Sequence, residues 1–428
     1  MSCNQRASST RLQWTVSIIV DFYLANDTGD VHDARQEYRI KESTMTTPTT
    51  MLAIKKLTAA PGLDWCPRTP IPAVGAREVL IAVTHAGICG TDRHIYEWDA
   101  WSAARVPVGI TTGHEFVGRV AAIGDAVSRT RVGDRVSAEG HIGCGLCQPC
   151  RTGNAHICEK VDIIGIDRNG CFAQYVCVPE ENVWPVHPDI PDHVAAIFDP
   201  LGNAMHTVMA AGVSGRSVLI TGVGIIGLMA VSIARAMGAA QILVTDIDER
   251  RLVLAKRLGA DHAWRADDPD WPQKARSATM NQGPQVLLEM SGNAGALRLG
   301  FKALRNGGTV ALLGIPSNAV SLDLANDIIF KGATVLGING RRMYETWYQV
   351  ESFILSGRLP ADLIITHQLP LGDFKKGFEL MQSGEAIKVV LQVPQAEALP
   401  CPVQVSTTER KSSSARSVTA RSTSTSNM

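Results

Sequence analysis

The uncharged run from Ser217 to Ala234 constrains this chain most, because glycines interrupt it at fixed intervals. It reads Ser217-Val-Leu-Ile-Thr, then Gly222-Val-Gly224-Ile-Ile-Gly227, then a further apolar stretch. Undivided, it is close to the minimum for a membrane span, roughly 18 residues. Divided by a glycine turn it becomes a strand and a helix, neither able to cross a bilayer. The first glycine permits a sharp turn, the second lets a pyrophosphate approach the backbone, and the third allows close helix packing. Amides at the helix N-terminus then face the anion. Asp246 closes the next apolar run about 20 residues on, where a carboxylate accepts hydrogen bonds from ribose hydroxyls and repels a 2′-phosphate. The spacing therefore predicts a dinucleotide site that takes NAD in preference to NADP. Glycines also serve ligand-free turns, and it is the strand before and helix after them that favour the site.

The same rhythm repeats downstream, in QILVTDIDERRLVLAKRLG, VLLEMSGNAGALRLGFKALRNGG and TVALLGI. Strands alternating with longer helices imply crossover connections and a doubly wound parallel sheet. Upstream, EVLIAVTHAG, HEFVGRVAAIG and CFAQYVCVP are short apolar segments punctuated by Gly and Pro, the pattern of a β-rich module. After the nucleotide segment come ETWYQVESFILSG, DFKKGFELMQSG and KVVLQV, expected to return to the first module. The fold class is thus α/β, with the nucleotide domain inserted into a β-rich domain. At 428 residues, more than one core is expected. Residues 1–50 read as an extension without packed structure, 51–200 as the β-rich module, 201–340 as the nucleotide domain and 341–393 as the part that completes the first module. Residues 394–428, rich in Ser, Thr and Arg, read as a disordered tail.

Four of the ten cysteines fall in Cys144-Gly-Leu-Cys147-Gln-Pro-Cys150 and Cys158. Clustered thiolates on a loop with Gly and Pro suit a tetrahedral structural zinc with no open position, better than disulfides or an iron–sulfur cluster. They also favour a reducing compartment, cytoplasmic by default. Arg6, Arg11 and nearby serines keep a mitochondrial leader as the alternative. A second set is dispersed: Cys89 in GICGTD and the adjacent His114-Glu115. Singly these read as a buried thiol and a core histidine; together, a thiolate, an imidazole and a carboxylate could bind zinc through three ligands and leave one place open for chemistry. Asp199, in IFDPLGN, is either an acidic group at the same cleft or a helix cap.

With 41 basic and 41 acidic residues the chain has a net charge of +0, so nothing points to a nucleic-acid partner. A small-molecule partner fits better, with neither nucleic acid nor membrane.

GICGTD, GHE, the four-cysteine lobe and the dinucleotide motif, in this order, resemble the zinc-dependent medium-chain dehydrogenases. CGTDRHIYEWDAWS, GDRVSAEGHIGCGLCQPCRTGNAHIC, AAIFDPLGNAMHT, LEMSG, LLGIP, IIFKG and MYETWY look like the L-threonine 3-dehydrogenase branch, from about Met51 to Val393. The resemblance implies a GroES-like catalytic domain holding an inserted Rossmann domain. It implies a catalytic zinc on Cys89, His114 and Glu115 and a structural zinc on Cys144, Cys147, Cys150 and Cys158. Thr91 and His94 become a proton relay, assisted by Asp199. Cofactor contacts fall on Gly222, Gly224, Ile226, Gly227, Asp246, Arg251, Leu313, Gly314, Ile315, Ile338 and Asn339, the last standing where an aromatic residue is often found. The implied reaction is oxidation of L-threonine at its 3-hydroxyl by NAD, in a homo-oligomer, a tetramer by resemblance. A polyol or secondary-alcohol dehydrogenase is the nearest rival, since its metal and cofactor sites read the same. A scaffold that has lost its chemistry would be expected to lack Cys89, His114 or Glu115.

Overall fold

A computed structural model describes residues 49–395 and the backbone of residues 18–25 and 31–38. The two N-terminal segments form an antiparallel pair, Ile18–Ala25 with Val31–Tyr38. β-branched and aromatic residues such as Ile18, Ile19, Val20, Phe22 and Tyr23 favour such strands. The expected tail at 394–428 lies, from residue 396 on, outside the described residues.

The main body, Thr49–Leu399, is built on two sheets. The first runs Val183–Pro185, Arg135–Ala138, Glu115–Ile123, Glu78–Gly87, Lys388–Gln392, Ile365–Pro370, with Tyr175–Pro179 also paired to Glu78–Gly87. Val390 pairs with Gly87, so the C-terminal strand returns to the first module and closes the insertion. Ile81, Val83, Phe116, Val120, Phe172 and Phe378 form its core.

The second sheet is parallel throughout, in the order His262–Arg265, Gln241–Asp246, Ser217–Thr221, Val286–Glu289, Thr309–Leu312, Thr334–Gly337. Alternate residues of its central strands point to opposite faces, as the two-residue period of a strand requires. Val218, Ile220, Ile242, Val244, Val286 and Leu288 join one buried cluster, and Leu219, Leu243, Leu287 and Val310 join another with Trp271 and Phe301. Helices on both faces explain why these strands are continuous apolar runs. The uncharged run resolves into the strand Ser217–Thr221 and the helix Ile225–Ala236, and no helix among the described residues is long and apolar enough to cross a membrane.

The helix Glu345–Leu355 packs toward both sheets: its Trp347 and Val350 join the cluster that underlies the parallel sheet, together with Leu201 and Met205 of the helix Phe198–Ala211, while Trp347 and Tyr348 also meet the ring of Trp184 from the first sheet. Only Ile365–Pro370 and Lys388–Gln392 enter the first sheet. The amphipathic period of the Glu345 segment shows that one face is buried but not against which sheet.

Candidate active site

The strand Glu78–Gly87 ends just before Cys89, which caps the helix Gly90–Glu97. The Cys89 N–H donates to Asp92 Oδ2 at 2.9 Å, closing the turn that presents the thiol. Just before the neighbouring strand Glu115–Ile123, Gly113 has φ +89° and a Cβ there would meet the Phe172 ring at 2.4 Å, so only glycine permits this approach. The bend delivers His114 and Glu115 to the same place. Ligand atoms of Cys89, His114 and Glu115 lie within 4.8 Å of one another.

This pocket calls for a cation. Burial pushes His114 down, but Asp92, with Oδ1 3.7 Å from His114 Nδ1, and Cys89 outweigh it and raise the imidazole to about 10. Glu115 Oε1 is buried with no hydrogen-bond partner, and a bound ion is one of the few things that satisfies such an atom. A thiolate, an imidazole and a carboxylate are a donor set that fits zinc with a place to spare. Asp92 supplies the carboxylate that commonly orients a ligating histidine.

Thr91 and His94 stand three apart on the helix Gly90–Glu97, on one face of it. Thr91 Oγ1 lies 3.8 Å from Cys89 Sγ, and the exposed His94 is held through Nδ1 by Asp99 Oδ2 at 2.6 Å. The two residues therefore run from the donor cluster to the surface.

Asp199 is buried in the first turn of the helix Phe198–Ala211. Its carboxylate is 2.7 Å from Arg341 Nη1, and the other arm of Arg341 pairs with Glu139, fully buried beyond the strand Arg135–Ala138. Burial pushes Asp199 up, but Arg341 and then His114 outweigh it and hold the carboxyl below its ordinary range. Asp199 is thus an ionised group within the electrostatic reach of the cluster, yet outside the set whose ligand atoms converge. The backbone at Gly340, φ +57°, is fixed by its carbonyl facing His206 Nδ1 at 3.0 Å.

Cys144, Cys147, Cys150 and Cys158 form the second cluster of converging ligand atoms. Amides point at the sulfurs: Cys144 N–H to Cys158 Sγ at 3.2 Å, Cys147 N–H to Cys144 Sγ at 3.4 Å and Lys160 N–H to Cys158 Sγ at 3.3 Å. The Leu146 and Cys147 amides lower Cys144 to about 6, whereas burial and the neighbouring sulfurs push Cys150 up to about 12. Four such thiols ionise together only around a cation, which suits a closed tetrahedral zinc site. All eight cysteines among the described residues are free of disulfides.

At the carboxyl ends of the parallel strands the three glycines do three different things. Gly222 has φ +85°, and Gly227 packs so closely that a Cβ would meet Gly222 O at 2.1 Å. Gly224 faces open space, and the helix it starts has no side-chain cap, which leaves its amides free for an anion. Asp246 accepts from Val223 N–H at 2.8 Å and from Asp248 N–H at 2.9 Å, so it braces the glycine turn. Arg251 Nε is 3.9 Å from Asp248 Oδ2. Ile226 and Ile338 pack against the core beneath, while Ile315 and Asn339 are exposed. Leu313 and Gly314 both donate to the Glu289 carbonyl at 3.0 Å. The side chain of Glu289 accepts from the Ser291 hydroxyl and from Gly292 N–H at 3.1 Å, tying the neighbouring loops together. Asp92, Asp99, Glu139, Glu289, Arg341 and Lys388, a partner of Glu115, lie outside the sequence reading of this site. Asp92 belongs to the GICGTD motif itself, so its signal is the most local of these.

Residues 75–189 match the alcohol dehydrogenase GroES-like domain, and residues 226–356 the zinc-binding dehydrogenase domain. An L-threonine 3-dehydrogenase of Symbiobacterium thermophilum is 48% identical across 82% of this chain and 99% of its own length. Among solved structures, a short-chain alcohol dehydrogenase from Escherichia coli complexed with NADH superposes with a TM-score of 0.74 at 25% identity, covering 81% of this chain and 100% of that one. A 2R,3R-butanediol dehydrogenase from Bacillus subtilis superposes at 0.73 with 25% identity, over 80% and 99%.

Proposed function

Because the chain belongs to the L-threonine 3-dehydrogenase family of zinc-binding dehydrogenases, we propose that it oxidises the 3-hydroxyl of L-threonine to 2-amino-3-oxobutanoate with NAD as acceptor. The observation that carries this reading is the convergence of Cys89, His114 and Glu115 within 4.8 Å, in a chain that spans 99% of a threonine dehydrogenase.

We assign these three to a catalytic zinc and the four-thiol lobe to a structural one. When bound, zinc polarises the substrate oxygen and the nicotinamide takes the hydride. The chain's own residues manage the proton. Thr91, beside Cys89, gives its own hydroxyl proton toward His94 as it takes the substrate's; with Nδ1 engaged by Asp99, it is Nε2 of His94 that receives the proton and releases it to solvent. Asp199, kept ionised by Arg341, supplies fixed negative charge beside that path. Asp246 supports NAD over NADP, because a ribose 2′-phosphate would sit against its carboxylate.

A homo-oligomer, a tetramer in the fullest form of the reading, is supported by the exposed Ile329, Phe330 and Val335 around the edge strand Thr334–Gly337. Free cysteines support a reducing, cytoplasmic location.

The test is initial-rate NAD reduction with L-threonine, L-serine, sorbitol and 2,3-butanediol under one set of conditions. The reading expects the highest kcat/KM for L-threonine. A higher value for either diol or polyol overturns the substrate assignment and leaves a dehydrogenase of the rival kind.

A further inference from the structure

Three strands lie side by side at the base of the Cys89 pocket. Glu115 starts one, Gly87 ends the middle one, and Lys388 starts the third. A Cβ at Gly87 would meet Glu115 Oε2 at 2.3 Å and Lys388 Cε at 3.1 Å. The missing side chain at Gly87 is thus what lets the two neighbours touch across it. Lys388 is 1% exposed; its ammonium pairs with Glu115 Oε2 and donates to the Ile88 carbonyl at 2.8 Å. Glu115 therefore has two unlike oxygens: Oε2 is taken by a buried cation, and Oε1 is buried and unpartnered.

We infer that Lys388 is a positioning residue that holds Glu115 to a single metal-facing oxygen, and so keeps a coordination place free for the alcohol. The inference rests on the reading of Cys89, His114 and Glu115 as zinc ligands. Its physical basis is competition: a carboxylate can offer a metal one oxygen or both, and an ammonium buried against one of them leaves only the other free to do so. Without Lys388, Glu115 turns both oxygens to the metal, which is held more firmly and has less room for substrate. Arg341 does the corresponding work on Asp199, whose ligand atom stays outside the converging set.

The test uses the full chain loaded with zinc, or with cobalt at the Cys89 site. In Lys388→Met, zinc loss to excess chelator from that site is expected to slow by about tenfold, the scale on which outer partners tune metal sites. The cobalt ligand-field bands should weaken as the coordination number rises, and KM for the alcohol should increase. Lys388→Arg, which keeps a cation, should restore the bands. Glu115→Gln/Lys388→Met should lose zinc at the rate of Glu115→Gln alone, and this comparison stands even if the single methionine variant does not fold. Zinc loss and cobalt bands unchanged in Lys388→Met, or a double variant that differs from Glu115→Gln, overturns the inference. If Cys89→Ser leaves the zinc content of the chain unaltered, the metal reading itself is what fails.

Discussion

Arg341 Nη1 lies 2.7 Å from Asp199 Oδ2, joining the loop that leaves the parallel sheet to the helix that leaves the catalytic module. With Glu139 on its other arm, this one guanidinium neutralises acids from two parts of the chain. Arg341→Met strands two buried carboxylates, and removing one partner of a buried pair typically costs about 3–5 kcal/mol. Chemical denaturation of the variant should show a loss of that order. Adding Glu139→Gln and Asp199→Asn should recover much of it, and a single variant as stable as the parent would remove the clamp from the account.

Asp99 holds the ring of His94 from outside the cluster. His94→Phe should lower kcat on the order of 10²-fold, the usual scale for a lost proton-transfer group, with little change in KM for NAD. Asp99→Asn should lower it less, because the ring remains but its orientation is no longer fixed. Steady-state rates against pH check this; an unaltered pH profile in both variants would place the proton route elsewhere.

Asp246 has two duties, so its replacement has two consequences. Asp246→Ser should raise the ratio of NADP to NAD use, measured as kcat/KM for each. It should also weaken both cofactors, because Val223 N–H loses its acceptor. An unchanged ratio would refute the selectivity assigned to the carboxylate.

Asp192 gives a pH signature remote from the chemistry. His85 Nδ1 at 3.5 Å, the Arg135 Nε contact at 2.7 Å and the Thr84 hydroxyl at 3.0 Å hold its carboxyl well below the ordinary range. A folded value below the unfolded one, about 3.9, gives stability that is fully present above that pH and lost as pH falls through the folded value. Being one-third exposed, the group should contribute only about 1–2 kcal/mol. Asp192→Asn should therefore melt lower than the parent at pH 7, with the gap narrowing below about pH 4. A gap that widens in acid would have the wrong sign.

How much of this was legible before the fold was known depended on sequence distance. Gly222, Gly224 and Gly227 state their roles locally, because the turn, the open approach and the packing all lie within one motif. The four-thiol lobe is as local. Cys89 and His114 are farther apart, and their meeting rested on resemblance. Lys388 is 273 residues from Glu115, and nothing in a strand-like KVVLQ marks a buried lysine that faces a buried carboxylate. Arg341 hid for the same reason: a charged residue after a glycine reads as surface until the fold surrounds it. The helix Glu345–Leu355 shows a further limit, since amphipathicity reveals that a face is covered but not by what.

The most direct test of the central claim is zinc content measured together with turnover of L-threonine in Cys89→Ser. The account predicts that the parent holds about two zinc ions per chain, and that the variant keeps its fold and about one zinc, on the four thiols, with turnover abolished. A variant that retains both the parent's zinc content and its rate would show that chemistry does not pass through Cys89, His114 and Glu115.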